Sequence, residues 1–132
     1  MRLPVGGRLV LLVAAVTAGC GAGRSPPLGE VEGRVVLDGE PLAAARVVFQ
    51  PLPTGRASQG TTDASGRYRL VYLRDLPGAM VGRHEVRITT GDEMVPEERL
   101  PERYHAATVL KADVVRGPNR IDFELQAGEA PP

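Results

Sequence analysis

The sequence of 132 residues predicts an all-β protein, a single seven-stranded antiparallel β-sandwich that follows an N-terminal signal peptide. Apolar and polar residues alternate with a period of two over several short stretches, as in strands with one buried face. Turn-forming glycine, proline and aspartate residues separate these stretches at short intervals. No stretch shows a convincing helical period, so an antiparallel sandwich is the favoured architecture.

The predicted strands follow one another between residues 30 and 126. The first runs from Val31 to Leu37 and ends at an Asp38-Gly39-Glu40-Pro41 turn, in which glycine adopts positive φ without strain. Pro51 ends the second strand, because proline cannot donate to a ladder. Alternating stretches lie around residues 47–50, 68–72, 84–88, 109–115 and 120–126, and further turns are predicted at 63–66 and 117–119.

Composition and charge argue against several classes of function. Sixteen basic and sixteen acidic residues cancel, and no basic run is present, which argues against nucleic-acid binding. Three tyrosines, two phenylalanines and no tryptophan leave little material for a sugar-binding or base-stacking surface. A single cysteine excludes an intrachain disulfide.

Residues 1–19 have the layout of a secretory signal peptide. Arg2 and Arg8 supply positive charge beside an apolar run over residues 9–18. At about 1.5 Å per residue, this run is too short to cross a bilayer core of about 30 Å. Small residues then precede Cys20, as they do at a cleavage site.

Thr17-Ala18-Gly19-Cys20 resembles a bacterial lipobox, with threonine where leucine is commonest. The resemblance implies that the Cys20 sulfur is diacylated and that the chain is cut before it. Residues 20–29 would then form a flexible, lipid-anchored tether, and the membrane would be bound through this N-terminal lipid. Gly21 in place of aspartate is similar to outer-membrane or surface lipoproteins. The alternative is an ordinary secreted protein with an incidental cysteine.

Six short motifs follow one another at Gly33–Leu42, Val47–Pro51, Thr62–Leu70, Gly82–Ile88, Leu100–Tyr104 and Asn119–Leu125. In this order they resemble the carboxypeptidase regulatory-like and transthyretin-like (prealbumin-like) β-sandwich domains, especially those of small planctomycete-type lipoproteins. The likeness covers nearly all of residues 30–126. His84 stands where tyrosine is usual, and Leu100 where isoleucine is usual. Because the motifs are chiefly turn and core residues, the resemblance implies architecture rather than activity.

No pattern predicts a catalytic, cofactor-binding or metal site. His84 falls on the inward phase of its strand, so we expect a packed, hydrogen-bonded core histidine. His105 follows in a loop, and this pair lacks the further ligands of a zinc site. Asp63 and Ser65 are better explained by a turn than by calcium, because the run lacks the carboxylates of a calcium loop.

Residues 91–108 are the strongest candidate for an interaction loop, because a structureless stretch of this length in a small domain is often functional. The predicted contact residues are Glu97, Arg99, Arg103 and Tyr104. The alternative is a charged cover that keeps an edge strand from pairing with other chains. Four apolar residues, Met94, Val95, Leu100 and Tyr104, would pin such a cover to the sandwich.

These features predict a non-enzymatic, lipid-anchored module of the bacterial cell envelope, on the outer membrane or cell surface. We expect a monomer that is structural or binds another envelope protein, with no cofactor, metal ion or nucleic acid. Residues 127–132 are predicted to form a disordered tail. One alternative is a small-ligand carrier resembling transthyretin, although no strand shows an obvious apolar outer face. The other is an enzyme that depends on His84 or His105.

Overall fold

The structure is a computed structural model that describes residues 26–91 and 97–128. The predicted signal peptide, Cys20, most of the tether and residues 129–132 lie outside the described residues. One short 3₁₀-helix, Glu102–Tyr104, accompanies the strands. The strands are β1 (Leu28–Leu37), β2 (Glu40–Pro41), β3 (Arg46–Pro51), β4 (Ser58–Thr61), β5 (Arg67–Arg69), β6 (Val71–Leu73), β7 (Leu76–Pro77), β8 (Ala79–Met80), β9 (Gly82–Thr89), β10 (Lys111–Val114), β11 (Gly117–Arg120) and β12 (Phe123–Leu125).

The strands form two sheets. The first is organised around β1, which pairs antiparallel with β2, β5 and β8 and parallel with β11 and β12. The second has the order β10-β9-β3-β4-β6-β7 and is antiparallel throughout. The predicted all-β class is therefore confirmed, while the parallel pairing of β11 and β12 with β1 departs from a purely antiparallel arrangement.

Both sheets contribute to one core. Val31 and Val35 of β1 are fully buried, as are Val47 and Phe49 of β3, because each strand turns alternate residues inward. The Phe49 ring meets Phe123 of the first sheet edge-on, with centroids 6.1 Å apart. Two sheets that enclose a shared apolar layer have the arrangement of a β-sandwich.

Twelve strands lie within residues 26–91 and 97–128 where seven were predicted, partly because the chain changes sheets at Leu70. The Leu70 N–H donates to the Val31 carbonyl at 3.0 Å, and its own carbonyl accepts the Gly78 N–H at 2.9 Å. β5 therefore belongs to the first sheet and β6 to the second, although the alternation of residues 68–72 continues through the break. Strands of two residues, such as β7 and β8, leave no alternation to detect.

The stretch predicted at 120–126 divides at Asp122. The Asp122 carboxylate accepts the Arg34 N–H at 2.8 Å, where a backbone carbonyl would accept it in a continuous β-ladder. The Ile121 N–H donates to the Glu32 carbonyl at 2.9 Å, so the chain stays beside β1 across the break. β11 and β12 consequently line successive parts of the same edge of β1.

The turns predicted at residues 38–41 and 63–66 are present. Asp38 and Gly39 have φ of 52° and 85°, the two positive values of a type I′ hairpin. Asp63 Oδ1 accepts hydrogen bonds from the Ser65 hydroxyl at 2.7 Å and from the N–H groups of Ser65 and Arg67. These bonds, the Ser65 hydroxyl foremost, hold the pKa of Asp63 below its usual range. Asp63 therefore stabilises the turn.

β1 runs between two ends of the sandwich. At the tether end, Leu28 pairs with Met80, and the Pro27 carbonyl accepts the Val81 N–H at 3.0 Å. β1 thus begins at Leu28, inside the segment assigned to the tether. At the distal end, Leu37 pairs with Leu125. Nine steps of about 3.3 Å separate the two ends by about 30 Å.

No helix within the described ranges has the length and apolar character needed to cross a membrane.

Candidate interaction surface at the distal end

The Glu98 carboxylate fastens the loop that follows β9 to the end of that strand. It accepts the Thr90 N–H and hydroxyl at 2.8 Å each, the Gly91 N–H at 3.1 Å and the Leu100 N–H at 3.1 Å. Partial burial opposes ionisation, but the hydrogen bonds from Thr90, Gly91 and Leu100 outweigh it. They hold the pKa of Glu98 below its usual value. The Glu98 carboxylate therefore bonds to residues that precede segment 92–96 and to one that follows it. We call this set of hydrogen bonds the Glu98 clasp.

Leu100 and Tyr104 pin the loop to the core, as the sequence predicts, and the other two predicted residues, Met94 and Val95, lie outside the described residues. The Leu100 and Tyr104 side chains are both buried, although they lie outside the strands. The Tyr104 hydroxyl accepts the Gln126 N–H at 2.9 Å, which joins the loop to the chain just after β12. Tyr104 therefore contributes to the base of the loop rather than to its free surface.

Arg103 joins the same loop to the C-terminal segment. Its guanidinium donates to the carbonyls of Gln126 and Gly128 at 2.6 and 2.5 Å. It also lies 4.8 Å from the centroid of the Tyr104 ring, within the range of a cation–π contact. Two hydrogen bonds and the cation–π contact with Tyr104 therefore hold the Arg103 guanidinium in place.

The rest of the loop covers the edge of β9 beyond the end of β10. The Thr108 hydroxyl donates to the Val86 carbonyl at 2.6 Å, and Arg87 Nε donates to the His105 carbonyl at 3.2 Å. His105 Nε2 lies 3.0 Å from the Leu100 carbonyl. The loop therefore protects an edge strand, which is the alternative role that the sequence left open.

The four predicted contact residues thus divide into two pairs. Glu97 and Arg99 are exposed, whereas Arg103 and Tyr104 are held against the sandwich. The Arg99 N–H donates to the Thr90 hydroxyl at 2.8 Å, which fixes its backbone and leaves its side chain at the surface. Sequence reasoning missed the clasp role of Glu98, because no periodic pattern distinguishes it from its charged neighbours.

The two histidines lie in separate surroundings. His84 is fully buried between the sheets, where Nε2 lies 2.7 Å from the Met80 carbonyl and the ring centroid lies 5.5 Å from that of Phe49. His84 is therefore the packed core histidine expected from its strand phase. His105 lies in the loop at the distal end. Within residues 26–91 and 97–128, no group of three His, Cys, Asp or Glu side chains is placed to hold a metal ion. Cys20, the predicted lipid site, lies outside the described residues.

The fold defines an all-β protein of two packed sheets, and comparisons with known proteins add little to this class. No protein-family model and no curated protein matches the chain. A crystal structure of a DUF3823 family protein from Parabacteroides merdae is similar over 76% of this chain and 46% of its own, with 12% identity and a TM-score of 0.47. A 9R-lipoxygenase from Cyanothece is similar over 83% of this chain and 18% of its own, with 17% identity and a TM-score of 0.35. This chain spans less than half the length of either protein.

Proposed function

We propose that this chain is a non-enzymatic, lipid-anchored module of the bacterial cell envelope that binds another envelope protein. Its sandwich is of the carboxypeptidase regulatory-like, transthyretin-like type, and Cys20 carries the lipid. The exposed residues Glu97 and Arg99 of the distal loop form the contact surface. The module is a monomer on the outer membrane or cell surface.

One observation carries this proposal. The chain enters the sandwich at Pro26–Leu28, and the fastened loop lies at the other end of β1, about 30 Å away. A lipid on Cys20 is joined to Pro26 by six residue steps, which reach at most about 20 Å. The anchor and the loop therefore occupy opposite ends, and the anchor leaves the loop open to a partner.

The state of the loop also favours recognition over chemistry. A surface that is already ordered loses less conformational entropy on binding than a free loop does. Glu98, Arg103 and Tyr104 supply that order through the hydrogen bonds described above. The Nε2 atoms of His84 and His105 both lie against backbone carbonyls, which supports a structural role for each ring.

Intact mass spectrometry of the protein from membrane fractions tests the anchor. We expect a chain that begins at an acylated Cys20. A soluble, unmodified chain would refute the lipoprotein assignment.

Photo-crosslinking on cells tests the contact surface. A photo-reactive amino acid replaces Arg99 in one variant and Arg67, exposed on β5, in a matched control. We expect a discrete protein adduct from position 99 that is absent from position 67. Adducts of the same size and yield at both positions would show that the loop is not a specific surface.

A further inference from the structure

The outer face of the second sheet carries two of the exposed large aliphatic side chains of the described residues. Val71 and Leu73 lie in β6, and Val71 is in register with Gln59, which also faces outward. The remaining exposed large aliphatic side chains lie outside the strands, beside the ends of β3, β9 and β10. The full set is Leu52, Val71, Leu73, Val81, Val109 and Val115.

Cations are in excess on the same face. Arg46, Arg56 and Arg74 line a shallow cleft of about 480 Å³ together with Gln59, Thr61 and Tyr72. The cleft has no carboxylate in its lining, and across the described residues none of these three arginines forms an ion pair. The Arg56 guanidinium lies 5.9 Å from the centroid of the Tyr72 ring. The face therefore offers three cations free to meet an external anion.

Toward β9 and β10, two arginines of the second sheet form ion pairs. Arg87 pairs with Glu85 at 2.6 Å, and Arg83 pairs with Asp113 at 3.5 Å. These pairs lie toward β9 and β10, whereas the unpaired arginines lie around β4 and β6. Excess positive charge is thus concentrated next to the exposed Val71 and Leu73.

The outer face of the first sheet has a different character. Arg69 pairs with Glu32 at 3.2 Å, and Arg120 pairs with Asp122 at 3.3 Å. No strand residue of the first sheet is among the exposed large aliphatic side chains of the described residues. The two outer surfaces of the sandwich therefore differ in polarity and in charge balance, as they do in a protein that rests on a surface.

We propose that the outer face of the second sheet lies against an anionic lipid surface. Arg46, Arg56 and Arg74 would meet lipid phosphates, and Val71 and Leu73 would enter the headgroup boundary, in the manner of an interfacial amphipathic element. This inference rests on the proposed lipid anchor. A tether of at most about 20 Å holds the tether end of the sandwich near the membrane, which is close enough for a sheet face to lie on lipid.

The composition of the face favours lipid over a protein partner. Protein-binding hot spots use aromatic and arginine anchors in desolvated pockets. Here the arginines line an open cleft and Val71 and Leu73 lie on an open sheet, so the described residues of this face form no desolvated pocket. Tyr72 has the opposite strand phase from Val71 and Leu73. With the second sheet against lipid, the distal loop faces sideways along the membrane, toward neighbouring anchored proteins.

Lipid quenching of a site-specific fluorophore tests the orientation. The full-length protein from membrane fractions is labelled at Val71→Cys or, as a control, at Glu124→Cys on the outer face of β12, and is placed in phosphatidylglycerol vesicles. Cys20 does not react once its sulfur carries lipid. We expect nitroxide-bearing lipids to quench the label at position 71 and not the label at position 124. Equal quenching at both positions, or none at position 71, would overturn the proposal.

Charge variants test whether the arginines of this face cause its contact with lipid. Two arginines removed from an anionic surface weaken the contact about 30-fold, so Arg46→Gln with Arg74→Gln should largely abolish quenching at position 71. The matched control, Arg67→Gln with Arg120→Gln, makes the same change in net charge on the first sheet. It should leave quenching at position 71 unchanged. The same loss of quenching in both pairs would refute a role for this face.

Two further outcomes distinguish a failure of this proposal from a failure of the proposed lipid anchor. If mass spectrometry finds an unmodified Cys20, the anchor fails, and sedimentation of that soluble protein with phosphatidylglycerol or phosphatidylcholine vesicles still tests the face. Binding to the anionic vesicles alone supports the face without the anchor. An anchored protein whose position 71 crosslinks to a protein and is not quenched by lipid would assign the face to a protein partner and overturn the proposal.

Discussion

Glu98 and Arg103 show how charged residues of one loop differ in their roles. Glu98 accepts hydrogen bonds from Thr90 and Leu100, and Arg103 donates to the carbonyls after β12. Their neighbours Glu97 and Arg99 keep their side chains at the surface. These four residues cannot be told apart from the sequence. The local pattern shows that each is charged, but it does not indicate which distant backbone groups each side chain hydrogen-bonds.

Replacement of Glu98 by glutamine should loosen the clasp. An exposed, charge-assisted bond set of this kind contributes about 1 kcal/mol, so the amides of Thr90 and Gly91 should lose about fivefold in protection from hydrogen exchange at neutral pH. Glu102→Gln, which removes an exposed carboxylate from the 3₁₀-helix, is the matched control and should change protection little. Unchanged protection of both amides in E98Q would contradict the clasp.

The clasp should also weaken with acid. The pKa of Glu98 is lower in the folded state, so its stabilisation is complete above the usual value of 4.5 and is lost as the pH falls through the folded value. The stabilities of the wild-type and E98Q proteins, followed by urea unfolding, should therefore converge below about pH 4.5. A constant difference between them down to the acid limit would exclude ionisation of Glu98 as the cause.

Tyr104 combines packing with a single hydrogen bond, and two variants separate them. Tyr104→Phe keeps the buried ring and loses the acceptor for the Gln126 N–H, which should cost about 1 kcal/mol in the free energy of unfolding. Tyr104→Ala also empties the ring site and should cost about 3 kcal/mol or more. Limited proteolysis should then cut the loop of the alanine variant faster than that of the phenylalanine variant. Equal cleavage would mean that the ring does not hold the loop.

At the scale of elements, periodicity located the long strands and missed the short ones. Residues 31–37, 47–50 and 84–88 fall inside β1, β3 and β9, because long strands with one buried face alternate over their whole length. The two-residue strands and the break at Leu70 carry no such signal. The parallel pairing of β11 and β12 with β1 could not be predicted from the sequence either. Pairing between strands far apart in the chain does not change the local residue pattern of either strand.

Gly33 lies where β1 meets the break between β11 and β12. A Cβ at this position would come within 1.8 Å of the Ile121 carbonyl oxygen, and backbone cannot move aside as a side-chain tip can. Gly33→Ala should therefore separate the two strands and lower the free energy of unfolding by about 3 kcal/mol or more. Gly128→Ala, with open space around its Cβ, is the control. A fully stable G33A protein in thermal unfolding would show that this contact is not close.

At the scale of the whole molecule, the two sheets share one apolar layer and should unfold together. Phe49→Ala removes a fully buried ring that touches both sheets, and we expect a loss of about 3–5 kcal/mol in a single transition. Leu52→Ala removes a 39% exposed side chain three positions later and should cost less than about 1 kcal/mol. Two separate transitions in F49A, followed by circular dichroism and calorimetry, would mean that each sheet is stable alone.

The position of β1 has a consequence for how the protein is made. β1 is the first strand in the chain, yet one of its edges is closed by β11 and β12, which come last. During synthesis or export from the N-terminus, that edge stays open until residue 125 has emerged. Open edges invite pairing with other chains, and long-range pairings form slowly. The growing chain must therefore be kept from association with other chains until β12 has emerged, so a chaperone that binds it has the most to protect at β1.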